Sequence, residues 1–545
     1  MKPLVRYIIL VFIFLTIRPG QLHATDDPKL ILIHLDAVSS HYFLQEMEKG
    51  HLPNMSSFFG EEGRIDHTIT YFPSKTPTII SSLRVGESAR NVSLPGWEWM
   101  MDTVDEVAVK TTGTFLRMVF TKSRISRTSI IYGLPPFYWL AKLALPNTAY
   151  YLNDYNILEY YWYNIDTQGH FRGEEAYLNE LHDFDRHFGR LIQRIDDDVN
   201  VIIYADHGMT FGHGIEIDDA IYDLLGDKVR LYSFPTLYIN KPDDIDQIAR
   251  ELVDETDLDF TFFEESELVI KGYHEDATIY FVKNPTDITL KYEFTGEDVL
   301  GYTEMGYQGE ELTIDEWLEF SRKSTYPMAP VIIYYHLKNF VSGDIVTLFE
   351  PDKYQQTGYS SSGNHGGFTY QDMTVPLFLK GPQLEQFQDL DYYWLPDLFY
   401  DIDGIDFNQN PPRERNFIGS RYDFKKERMV TEISFSPKYR IHFGASFYNP
   451  DLNRITGSDR IDFWGKGDLF RSYLSRFWVG TGVELKDSEL TPLLMLNYDL
   501  HFRRFVIQNS FATNRPFYFR FAYEPFSWLA IETVNFSSIG IRLDF

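Results

Sequence analysis

Four stretches of the chain set Asp or His residues against apolar runs or glycine-rich turns. They are IHLDAVSS with Asp36, YNIDTQGHFRG with Asp166 and His170, YADHGMT with Asp206 and His207, and SSGNHGGF with His365. Three carboxylates and three imidazoles are enough for two N/O sites suited to zinc or a similar divalent ion. The glycines after His207 and around His365 let the backbone bend sharply behind a ligand. A fifth stretch, YFPSKTPTIISSL, sets Ser74, Lys75 and Thr76 ahead of a segment that opens a helix with Pro77 in its first turn. A hydroxyl there, ligated by one metal, would lose its proton and attack phosphorus. A helix N-terminus nearby would favour an anionic substrate. Taken singly, each stretch fits an ordinary polar turn, and His34, His182, His187 and His213 are read that way.

The elements that must position these groups follow from the apolar pattern. KLILIHLDA and VNVIIYADHG are short, β-rich and apolar on both faces, as buried parallel strands are. Between them, residues 176–195 carry Leu178, Leu181, Phe184, Phe188, Leu191 and Ile192 at helical spacing. Strand, helix and strand in this order predict an α/β layer with a mostly parallel sheet. Ligands gather beyond the carboxyl ends of such strands, where Asp36 and Asp206 both stand. Residues of about 214–360 are less regular and acidic, and read as an insertion or cap. VPLFLKGP returns to the buried-strand style, and the Pro pair of NQNPPRER marks a linker over 408–427.

Beyond the linker the texture changes. In YRIHFGASF, Ile441, Phe443 and Phe447 alternate with His442, Gly444 and Ser446. RPFYFRFAYE and the terminal SIGIRLDF repeat the alternation. Strands of about ten residues, apolar on one face and polar or small on the other, are the signature of a transmembrane β-barrel. About eight such segments fit between Met429 and Phe545; the alternative is a soluble antiparallel sandwich. At the other end, Lys2 and Arg6 precede an apolar run too short to span a bilayer comfortably, so residues 1–24 read as an export signal. The net charge of −29 argues against a nucleic-acid partner. With no cysteine, thiolate zinc, disulfides and a Cys nucleophile are excluded.

The joint order is more specific than its parts: strand-Asp36, Lys75-Thr76, Asp166-x3-His170, Asp206-His207-Gly, His365-Gly-Gly. It resembles the alkaline phosphatase superfamily, in its type I phosphodiesterase/nucleotide pyrophosphatase branch, over roughly residues 29–405. The resemblance implies an α/β/α sandwich and a two-zinc site. Asp166, His170 and His365 would hold one ion; Asp36, Asp206 and His207 would hold the other, with the oxygen of Thr76 on it. Thr76 is then the nucleophile of an in-line displacement through a phospho-threonine, with Ser74 the competing hydroxyl. Two ions of this kind stabilise both the attacking and the leaving oxygen.

One position departs from the pattern: the family's phosphate-binding Asn is replaced, with Trp97 at that place. Lys75, Arg84, Arg90 or Asn91 could supply the missing donor, and Trp97 could instead wall the leaving group.

Together these readings give an exported phosphoric ester hydrolase. Its catalytic domain spans 27–407 and faces the periplasm, and a C-terminal antiparallel domain, 428–545, attaches it to the outer membrane of a Gram-negative bacterium. The alternatives are a phosphomonoesterase of the same superfamily and a non-catalytic outer-membrane protein carrying a retired hydrolase domain.

Overall fold

A computed structural model describes residues 28–83, 94–100, 108–120, 126–127, 142–152, 155–240, 244–339, 341–388, 390–403, 416–438, 440–449, 459–471, 474–513, 515–526 and 528–544. The segment read as an export signal, Arg84, Arg90, Asn91 and the Pro pair of the linker lie outside the described residues.

Seven strands form the central sheet of the N-terminal unit. Their order is Tyr392–Trp394, Arg64–Ile69, Thr374–Lys380, Val199–Ala205, Lys29–Leu35, Ile157–Trp162 and Ser126–Arg127. All run parallel except Thr374–Lys380, which is antiparallel to both neighbours. The Lys29–Leu35 and Val199–Ala205 strands are buried almost throughout. That burial explains their continuous apolar runs, since parallel strands are covered on both sides. On one face Trp162 packs on Phe184 of the Glu174–Ile192 helix; on the other, Tyr204 packs on Phe399.

Between residues 213 and 355 the chain leaves this core and returns. The short strands His213–Ile215 and Lys353–Gln355 pair in parallel and pin the two ends of the excursion together. Above that neck stands a second, wholly antiparallel seven-stranded sheet, assembled from strands between Val229 and Leu348. Its own apolar core includes Phe260, Phe262, Ile279, Trp317 and Ile333. His213 belongs to the neck and is exposed.

The C-terminal strands close into a ten-stranded antiparallel barrel, from Phe417–Asp423 to Ser538–Asp544, with the first and last strands paired. Closure leaves no free sheet edge and removes the sandwich alternative. Ten strands stand where about eight were expected. The first of them lies inside the segment read as linker; its Ser420 interrupts the outward apolar face that marks the others. The barrel is apolar outside and charged inside. Phe443, Phe463, Leu494, Phe517, Ile531 and Ile541 are exposed. Arg421, Glu432, Arg520 and Glu532 are buried within, with Arg421 Nη1 3.0 Å from Glu432 Oε2 and Arg520 sharing the same carboxylate. Arg460 pairs with Asp462 at 2.9 Å, and Arg542 with Asp544 at 2.9 Å.

An exposed apolar surface of this extent calls for a non-aqueous neighbour. The full chain should therefore require detergent, and its unheated form should migrate differently from the boiled form on SDS gels. Solubility without detergent would contradict the outward apolar face.

Candidate metal centre

Leu35 and Ala205 sit side by side in register at the carboxyl ends of neighbouring parallel strands. The residues that follow them, Asp36, Asp206 and His207, therefore leave the sheet at the same edge. The Ile157–Trp162 strand flanks Lys29–Leu35 on its other side and runs into the helix Asn164–Arg172, which carries Asp166 and His170 one turn apart. Thr76 opens the helix Thr76–Leu83. His365 comes from the loop before Tyr370–Met373. Two glycines let these segments approach: a Cβ on Gly208 would collide with the Gln371 carbonyl oxygen, and Gly366 adopts φ +111°.

All six expected ligand residues and Thr76 converge, and all are buried. The Thr76 hydroxyl lies 3.0 Å from His207 Nε2 and 3.4 Å from Asp36 Oδ1. His207 Nε2 is 3.5 Å from both Asp36 Oδ1 and Asp206 Oδ2. On the other side, Asp166 Oδ1 is 3.0 Å from His170 Nε2 and 3.5 Å from His365 Nε2. The two halves adjoin, because the His207 and His365 rings stack with centroids 3.8 Å apart. Asp36, Asp206 and His207 bring ligand atoms within 4.8 Å of one another, and so do Asp166, His207 and His365. His207 thus stands between the groups, while His170 joins the second through Asp166.

The three imidazoles are oriented alike. Each Nδ1 meets a main-chain carbonyl: Gly208 O for His207 at 2.9 Å, Gly363 O for His170 at 2.9 Å, and Ser74 O for His365 at 2.7 Å. A carbonyl only accepts, so every Nδ1 carries its proton and donates it. Every Nε2 is thereby turned toward the carboxylates, the arrangement in which an outer carbonyl fixes the tautomer of a metal-binding histidine. Among the described residues no donor bonds Asp166 Oδ1 or Asp206 Oδ2, although both are buried. A neutral imidazole nitrogen facing a carboxylate oxygen is one acceptor against another, and a cation between them resolves the conflict. The donor set fits divalent ions.

Burial, then the nearby carboxylates of Asp206 and Asp166, raise Asp36 well above the ordinary carboxylate range. Burial pushes His365 down to about 3, so its ring stays neutral.

Several supporting groups carry no motif and escaped the sequence reading. The Tyr161 hydroxyl donates to Asp36 Oδ2, and the Thr70 hydroxyl donates to the Asp206 carbonyl. Asp372 accepts the Gly367 N–H at 2.7 Å and the Thr210 hydroxyl at 2.7 Å, which fixes the backbone after His365. Tyr161 offered one faint signal, a hydroxyl near the end of an apolar strand run. His34, assigned a polar packing role, lies between the Tyr161 and Tyr204 rings with its Nε2 3.3 Å from Asp206 Oδ1.

Ser74 and Thr76 have separate surroundings. Ser74 Oγ donates to Gly367 O at 2.9 Å and accepts the Gly366 N–H at 3.0 Å, so it ties the Thr76 segment to the His365 loop. Lys75 is buried beside Thr76 with its Nζ 5.6 Å above the Phe234 ring, and burial lowers its ammonium to about 8. Trp97 is half-buried and packs with Phe115 and Tyr163 against Ile80 and Tyr161.

Residues 110–256 match the profile of the family described as type I phosphodiesterase / nucleotide pyrophosphatase. That span carries Asp166, His170, Asp206 and His207; Asp36, Thr76 and His365 lie outside it. No curated protein matches the sequence. Among solved structures, human ectonucleotide pyrophosphatase / phosphodiesterase 5 is similar at 16% identity and a TM-score of 0.46, over 69% of this chain and 94% of that one. The murine protein is similar at 15% identity and a TM-score of 0.44, over 71% and 96%. An inactive variant of the murine protein in complex with AMP gives 16% identity and a TM-score of 0.46, over 71% and 97%. Over residues 110–256 the N-terminal unit thus matches the type I phosphodiesterase / nucleotide pyrophosphatase family, which supports a phosphoester hydrolase, and a closed antiparallel barrel follows that unit in the chain.

Proposed function

We propose that the chain is an exported phosphodiesterase with Thr76 as its nucleophile and two divalent ions, zinc by donor type, held by Asp36, Asp206 and His207 and by Asp166, His170 and His365. The observation that carries this reading is the common orientation of the three histidines, each with Nδ1–H spent on a carbonyl and Nε2 turned to buried carboxylates. When bound, the ions supply Lewis acidity, lowering the pKa of hydroxyls and offsetting negative charge on oxygens around phosphorus.

The chain's own residues provide position and shielding. Thr76 stands at the N-terminus of its helix, where main-chain N–H groups favour an anionic phosphoryl group. Its hydroxyl proton faces Asp36 Oδ1 and His207 Nε2. Attack of Thr76 Oγ on phosphorus forms one P–O bond and expels the alcohol of the ester. Water then cleaves the phospho-threonine and regenerates the hydroxyl. Lys75, next in sequence and buried, brings a positive charge to the same corner and would take over from the missing Asn. Trp97, with Phe115 and Tyr163, walls the side of the nucleophile helix and would accept the apolar part of a leaving group. The outward apolar face of the barrel supports a location in the outer membrane, with the catalytic domain on the periplasmic side.

Hydrolysis of bis-p-nitrophenyl phosphate and p-nitrophenyl phosphate should be measured side by side. We expect the diester to be preferred and activity to vanish with chelator and return with zinc. Thr76→Ala should lower turnover on the order of 10⁴-fold or more, as loss of a covalent nucleophile does. Ser74→Ala keeps that nucleophile and loses two buried hydrogen bonds, so its main cost should be about 1–3 kcal/mol of stability. Equal activity of Thr76→Ala and wild type would remove the assignment.

A further inference from the structure

The barrel and the metal centre lie at opposite edges of the catalytic sheet. Both barrel termini, near Phe417 and Asp544, share one rim with the short turns after Arg471 and Phe502. This rim is docked on the catalytic domain. Leu474 is fully buried and belongs to the apolar cluster of the central sheet, and Leu500 and Phe502 pack on that cluster. The Tyr151 hydroxyl accepts the Arg503 N–H at 2.9 Å, and the His501 N–H reaches Leu474 O at 2.8 Å, joining the two turns.

Tyr151 ends the helix Thr148–Tyr151, ahead of the Ile157–Trp162 strand. Close by, Asn156 O accepts the Leu30 N–H at 2.8 Å. The docked edge is therefore where the parallel strands begin. The metal centre is where they end, past Leu35, Ala205 and Trp162. A seven-residue strand such as Lys29–Leu35 separates the two edges by about 20 Å. On the site's side, Phe171 and Tyr359 stand nearly half exposed next to His170, with ring centroids 4.8 Å apart.

We propose that the substrate is a soluble phosphoester met in the aqueous space, and not a phospholipid lying in the bilayer. The inference rests on the phosphodiesterase and membrane-barrel reading above and adds the substrate's physical state. The barrel acts as a pedestal. It binds the back of the catalytic domain through Leu474, Phe502 and Arg503 and turns the site away from the membrane, so a bilayer headgroup has no direct path to Thr76.

The test uses the full chain inserted into phosphatidylethanolamine vesicles. One arm exploits the absence of cysteine: a single dye is attached through Phe171→Cys at the site rim or through Leu494→Cys on the outer barrel face. Vesicle lipids carrying a nitroxide in the acyl chain should quench the Leu494→Cys dye and leave the Phe171→Cys dye unchanged. Quenching of the rim dye overturns the proposal, and an unquenched barrel dye removes the membrane reading and the proposal with it. The other arm compares soluble bis-p-nitrophenyl phosphate with headgroup release from the vesicle phospholipid, using Thr76→Ala as background. We expect turnover of the soluble diester and no lipid cleavage above background. Lipid cleavage at a comparable rate overturns the proposal even if the diester is also cleaved. Turnover of neither removes the phosphodiesterase reading and the proposal with it, while the dye arm still reports which way the site faces.

Discussion

Three buried carboxylates pressed against three imidazoles set the terms for the catalytic domain. Burial is costly for a lone carboxylate and more so for a cluster, unless positive charge arrives with it. Much of the local structure maintains this cluster. Three main-chain carbonyls orient the rings, Tyr161 and His34 brace Asp36 and Asp206, and Ser74 and Asp372 hold the His365 loop in place. The sheet topology serves the same end. Adjacent parallel strands deliver Asp36, Asp206 and His207 to one edge in register, and the neighbouring strand delivers Asp166 and His170 on the helix that follows it. The antiparallel cap is pinned off at its neck by the pairing of His213–Ile215 with Lys353–Gln355, so it can exist without interrupting that edge.

The barrel inverts the logic of the core. Its charged side chains face inward, where Arg421, Glu432, Arg520 and Glu532 compensate one another, and its aromatics face outward. In water such a surface would be a liability, whereas against hydrocarbon it is the favourable arrangement. Docking through Leu474 and Arg503 links this surface to the back of the hydrolase domain.

The convergence of the candidate site residues was more legible in the sequence than the architecture around them. Asp36 and Asp206 could be placed at one edge because each ends an apolar strand, and the helical spacing of residues 176–195 was visible in Leu181, Phe184 and Phe188. The antiparallel sense of Thr374–Lys380 was not legible, since a strand buried on both faces reads the same in either direction. The role of His207 between the two ligand groups depends on ring stacking with His365, more than 150 residues away, and spacing carries no trace of it. Tyr161 and Asp372 act through single hydrogen bonds from elements without a motif. The first barrel strand stayed hidden because Ser420 interrupts the apolar outward face between Ile418 and Tyr422. The alternation of the later strands gave the inside-out arrangement directly.

The central claim is that the six converging residues exist to hold two divalent ions. Metal content of the purified full chain, measured by inductively coupled plasma mass spectrometry beside Asp166→Asn and Asp36→Asn variants, tests it most directly. The account predicts two equivalents of zinc or a similar ion in the wild type and about one in each variant that remains folded. A wild-type chain that binds no metal after incubation with excess zinc, or variants that keep both equivalents, would contradict it.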